Sequence, residues 1–146
     1  MTTRIEFNVV PTTQQLQMPN FDLSYLPDQL LTCTGVCADW TNERFIEAVE
    51  EYMRFVALCK KYPRKTIGIS PDGDKIWHQH ILNTRRYMED SENFFGYYFH
   101  HTPVSTEEEN AAAQQESNRL FLQEFGISRV GSHMSTCVAS GCMNNG

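Results

Sequence analysis

Phe45, Val49, Tyr52, Val56 and Cys59 step by four, three, four and three along the chain, and this spacing constrains the fold more than any other feature. Residues so spaced return to one face of an α-helix, and an apolar face needs another layer to cover it. Thr41 stands where a side-chain oxygen can accept the first free amide hydrogens. Lys60 and Lys61 suit the negative end of the helix dipole, and Pro63 forbids continuation. The pattern predicts a helix from just after Thr41 to about Lys61, forming one wall of a helical core.

A second helix is announced by Ser70-Pro71, a serine cap with proline in the first turn, where its missing N–H is harmless. It is expected to run unbroken to about Asn93, with Trp77, Ile81, Thr84 and Met88 on one side and Gly96 as its stop. Ser105 with Glu108 reads as a capping box for a third helix, which offers Leu120, Phe121 and Phe125 to the core and ends at Gly126. A short helix is expected around Asp22 to Leu31. Arg4 to Val10 alternates as an extended arm, Thr102 before Pro103 is biased to extended backbone, and the chain from Ser128 onward lacks apolar periodicity. The expected fold is mainly α. A compact helical domain of three to four principal helices carries a short N-terminal extended arm and a flexible C-terminal tail. Residues 1–40 are the arm and short helix, 41–126 the helical domain with the site, and 127–146 the Cys-containing tail.

A chain of 146 residues suits one domain. Its formal net charge of −6 argues against a nucleic-acid surface, which needs a basic footprint. No apolar run approaches the roughly 20 residues that span a bilayer, and the N-terminus is too polar for a signal peptide, so a cytoplasmic location is expected. Of the five cysteines, Cys59 falls on the apolar stripe and reads as a buried small hydrophobe. Cys33/Cys37 and Cys137/Cys142 could form a four-thiolate zinc site, but neither pair has the tight two-residue gap of zinc ribbons. Gly131-Ser132-His133-Met134 coincides with a common cloning-linker sequence, and His133 is given no functional weight.

The chemistry-bearing residues lie in the second helix and in the segment that follows it. Asp74-Lys75-Ile76-Trp77-His78-Gln79-His80 is followed about twenty positions later by His100-His101, so four of the five histidines share one aromatic-rich stretch. Histidine is the commonest metal ligand and titrates near neutrality. Asp74 and His78 are four apart and share a helix face, whereas His78 and His80 differ by about 200°. His100 and His101 diverge on an extended segment. The candidate metal ligands are Asp74, His78, His80, His100 and His101, with a first shell of Asp74 and His78 plus one of the His100/His101 pair. Two imidazoles and a carboxylate suit zinc with an open position or non-haem iron(II), able to activate water or dioxygen. The remaining histidine, Tyr87 or Asp90 would support the ligands. A plain hydrogen-bond network around a core Trp77 accounts for the same residues.

Asp74-x-x-Trp77-His78-x-His80-Ile81-Leu82-x-Thr84-x-x-Tyr87-x-x-Asp90, with Phe95-Gly96-x-x-Phe99-His100-His101-x-Pro103, resembles the glycine-rich domain-containing-protein-like family, over roughly Glu43 to Gly126. The resemblance implies an all-helical domain and a shared His/Asp/Trp site rather than a particular reaction. It places Ser91 where that family usually has cysteine. The function expected is a helical domain binding zinc or iron(II), with a small molecule or peptide as ligand and neither nucleic acid nor membrane as partner. Two other classes compete with it. One is a folded leader or carrier for a modified C-terminal peptide containing Cys137 and Cys142; the other is a non-catalytic interaction module, marked by imidazoles packed inside and paired to carbonyls.

Overall fold

The computed structural model describes residues 15–29, 39–129 and 137–140. Its elements run α1 (Leu26–Gln29), α2 (Asn42–Lys61), β1 (Thr66–Gly68), α3 (Pro71–Leu82), α4 (Thr84–Phe95), β2 (Thr102–Pro103), α5 (Glu107–Phe125) and β3 (Cys137–Ser140). The chain is mainly helical, with four long helices and one short one among the described residues. The arm expected at Arg4 to Val10, the Cys33/Cys37 pair and Cys142 lie outside the described residues.

Thr41 caps α2 by accepting from the Arg44 amide at 3.1 Å, and Tyr62 closes it through its own amide to the Leu58 carbonyl. The predicted stripe faces inward. Tyr52, Val56 and Cys59 are buried, Phe45 and Val49 half-buried, and Phe55 and Leu58 widen the buried face. Cys59 is a free thiol whose burial pushes its pKa well up, as expected of a small core hydrophobe. α2 packs chiefly on α3, and Trp77 of α3 fills the contact, its ring centroid 5.0 Å from that of Phe55 and 5.3 Å from that of Phe99.

The helix expected to run unbroken from Ser70 to about Asn93 is two helices. Asn83 leaves helical backbone (φ −88°, ψ 73°) and separates α3 from α4. Its side-chain amide donates to the Gln29 side-chain oxygen at 2.6 Å and to the Gln79 carbonyl at 3.1 Å. An asparagine side chain that competes for nearby carbonyls weakens the helical ladder at that point. The third cap is shifted by one residue from expectation. Thr106, rather than Ser105, accepts from the Glu109 amide at 3.0 Å, and Glu109 reaches back to the Ser105 amide at 3.2 Å. Gly96 and Gly126 end α4 and α5 at φ 86° and 69°, backbone that a side chain makes costly.

Two features of the C-terminal stretch come from tertiary structure. Arg129 is buried, donating to Glu51 at 3.0 Å and to Ser117 Oγ at 3.0 Å, with its guanidinium over the Phe121 ring. Further on, β3 pairs antiparallel with both β1 and β2 and lies between them. Local sequence could not show either feature, because Arg129 depends on a carboxylate from α2 and β3 on strands some seventy and thirty-five positions away. No helix among the described residues is long and apolar enough to cross a membrane.

Candidate metal centre

Three side chains from two segments meet at one point. Asp74 and His78 stand one turn apart on α3, and His101 arrives from the segment that leads into β2. His78 Nε2 lies 2.9 Å from His101 Nε2, His101 Nε2 lies 3.1 Å from Asp74 Oδ1, and His78 Nε2 lies 3.5 Å from the same oxygen. Asp74 is buried, the His101 side chain is 14% exposed and that of His78 47% exposed. The cluster is therefore covered by protein at Asp74 and His101 and open to solvent at His78.

Hydrogen bonds can join two edges of this triangle and leave the third as a non-bonded contact. A ring nitrogen carries either a proton or a lone pair, so His101 Nε2 cannot donate to Asp74 while accepting from His78. If one proton on His101 is shared between both neighbours, His78 Nε2 and Asp74 Oδ1 still face each other at 3.5 Å with lone pairs only. A cation resolves all three contacts together. A point about 2.05 Å from each of the three atoms lies about 0.9 Å out of their plane, on the geometry of these separations. Four-coordinate ligands at that bond length sit about 3.3 Å apart and octahedral ones about 2.9 Å; the edges of 2.9 and 3.1 Å fall in that interval and the third, at 3.5 Å, is slightly longer. The Asp74, His78 and His101 group could hold a metal ion. Burial, partly offset by Asp74 and reinforced by His101, holds the His78 pKa below its ordinary value. Its ring is thus neutral at neutral pH, the form that binds metal.

The protein around the cluster fixes its less exposed members. The Trp77 ring packs against the His101 ring at 4.2 Å between centroids. Trp77 Nε1 donates to the Tyr87 hydroxyl at 2.9 Å, which donates in turn to the Phe99 carbonyl at 2.5 Å, two residues before His101. Tyr87, expected as a direct support for a ligating imidazole, instead bonds the backbone of the segment that carries His101.

His80 and His100, both candidate ligands from sequence, are not brought to this point. His80 is fully buried on the opposite side of α3. Its Nε2 stands 2.7 Å from Asp90 Oδ2 and its Nδ1 2.8 Å from the Tyr52 hydroxyl. The carboxylate accepts from Nε2–H, so Nδ1 accepts from Tyr52, a fully satisfied neutral ring. Burial lowers its pKa, against the opposing pull of Asp90. Asp90, expected as a possible support for the metal ligands, is committed to this pair. His100 is exposed beside the Tyr98 ring, as adjacent residues on extended backbone diverge. Ser91 is buried beside Tyr87 and is not a member of the cluster. Sequence reasoning missed Arg129 and the Tyr52–His80–Asp90 chain, the latter because only the turn at Asn83 brings Asp90 back over His80.

A family model described as UCP032817-like matches residues 28–126, about two thirds of the chain and the region that contains all three cluster residues. This corrects the resemblance drawn from sequence: the matching family is not the glycine-rich domain-containing one. No curated protein and no solved structure matches the chain.

Proposed function

We propose a metal-binding function for the chain, which by that match belongs to the UCP032817-like family: Asp74, His78 and His101 hold one divalent transition ion, zinc or iron(II). The observation that carries this reading is the triangle of 2.9, 3.1 and 3.5 Å among two imidazole nitrogens and a carboxylate oxygen, close enough for all three to ligate one ion. Two nitrogens and one oxygen are the donor set of open zinc sites and of the facial triad of non-haem iron. Bound there, the ion supplies Lewis acidity to a water or substrate oxygen in its remaining positions, and iron adds access to dioxygen.

The chain's own residues set the conditions for that chemistry. His78 is largely exposed, so a ligand would approach the cluster from solvent. Asp74 brings negative charge from the first turn of α3, which neutralises half of a divalent charge. Trp77 walls the cluster on the protein side. The test is metal analysis of purified full-length protein after reconstitution. One equivalent of zinc or iron is expected, retained in His80→Ala and His100→Ala and lost in His78→Ala and His101→Ala. A wild-type chain that retains no metal, or variants that all retain it, would end the reading.

A further inference from the structure

β1 and β2 are both hydrogen-bonded to β3 and not to each other. With neighbouring strands about 4.8 Å apart, the two outer strands form the walls of a slot about 9.6 Å across, the width of one extended chain. Take β3 away and, among the described residues, neither wall has another strand to pair with. The two walls differ in firmness. β1 is clamped to α5: Ser117 Oγ donates to the Gly68 carbonyl at 2.8 Å, and Gly68 lies so close to Gln114 that any side chain there would collide with its amide. β2 is only two residues long, and the ladder to β3 is the only backbone pairing in the stretch from residue 97 to 105 among the described residues. That stretch carries His101, which immediately precedes β2. The register pairs Thr102 with Val138, so the next position of β3, Ala139, comes level with His101.

We propose that the slot between β1 and β2 is a peptide-binding groove, that the chain's own Cys137–Ser140 segment is its exchangeable ligand, and that occupancy of the groove positions His101 in the metal centre. The last part rests on the metal reading above. Recognition is by added-strand pairing, in which main-chain hydrogen bonds supply affinity. Because β3 is joined to α5 through the chain, it occupies the groove at high effective concentration and yields it only when an incoming strand competes or the ladder is broken. Occupancy and metal binding then favour each other reciprocally, since both need the His101 segment in one place.

The experiment uses the full chain with Val138→Pro, which removes a backbone donor from the strand that pairs on both sides. In chelator, a synthetic peptide of residues 135–142 should bind this variant at least about tenfold more tightly than it binds the wild type, whose groove is filled. The same peptide with proline at the Val138 position should not bind. Failure of the first peptide to bind, or equal binding of both, overturns the groove. Zinc titration then separates the two readings. Val138→Pro should bind zinc roughly tenfold more weakly than wild type and recover when peptide is added. If wild type binds zinc and the variant binds it equally, the coupling to His101 is overturned while the metal centre stands. If wild type binds none, the metal reading fails and the peptide arm still judges the groove. Should the variant not fold, hydrogen exchange on the unaltered chain decides. The amides of Thr66–Gly68, Thr102 and 137–140 should open together, faster than the helical core. Protection equal to the core overturns exchangeability, and no protection in 137–140 overturns occupancy.

Discussion

Trp77 Nε1 donates to the Tyr87 hydroxyl at 2.9 Å, and this bond joins the centre of the core to the segment that carries His101. Tyr87 is buried and passes the bond on to the Phe99 carbonyl, so one hydroxyl accepts from the indole and donates to the backbone of the next segment.

Tyr87→Phe keeps the ring and removes both bonds. A buried indole N–H and a buried carbonyl lose their partner, which should cost about 1–3 kcal/mol in urea unfolding. Metal affinity should fall about tenfold, because support for a ligand acts through its orientation. Unchanged affinity alongside the stability loss would show that Tyr87 serves packing only.

His80→Ala should separate the two histidines of α3. It leaves Tyr52 and Asp90 without their shared partner and opens space in the core, a loss of about 2–4 kcal/mol by denaturant unfolding. Metal content should be unaffected, since His80 faces away from the cluster. Loss of bound metal in a folded His80→Ala protein would contradict the assignment of His80 to structure.

Trp77, His80 and the stripe on α2 show what was legible beforehand. Two steps of about 100° separate His78 from His80, and the structure places them on opposite sides of α3. The caps at Thr41 and Ser70 and the glycine stops at Gly96 and Gly126 depend on neighbours a few residues away, and each is where local chemistry sets it. Asn83 was hidden because its partner Gln29 is 54 residues distant. Arg129 was hidden for the same reason, its carboxylate being on α2. The choice between His100 and His101 depended on which face of their segment meets Trp77, a matter of tertiary packing.

Acid should unfold the protein partly through α5. Burial alone would raise the Glu124 pKa, but hydrogen bonds from Lys61 and Tyr62 outweigh it and hold the carboxyl below its ordinary value; Arg119 and Lys65 do the same for Glu116. A carboxyl with a depressed folded-state pKa contributes stability above its unfolded value, about 4.3, and that stability is lost as pH falls through the folded value. Glu124→Gln should therefore lower stability at pH 7 and flatten the decline below about pH 4.3 in urea midpoints measured against pH. An acid limb identical to wild type would remove Glu124 from this role.

Gly68→Ala should destabilise the chain by at most about 1 kcal/mol, because the added methyl must displace the terminal amide of the Gln114 side chain on α5. Thermal unfolding checks this. The Gln114→Ala background should relieve most of the loss, whereas an equal loss in both backgrounds would place the strain elsewhere.

The most direct test of the metal centre is X-ray absorption on the reconstituted full chain at the edge of the bound metal. The structure predicts a shell of nitrogen and oxygen only, at about 2.0–2.1 Å, with the scattering signature of two imidazoles, and no such shell in His78→Ala, which loses the metal. A sulfur shell near 2.3 Å would assign the metal to cysteines, and a spectrum unchanged by His78→Ala would place it away from Asp74, His78 and His101.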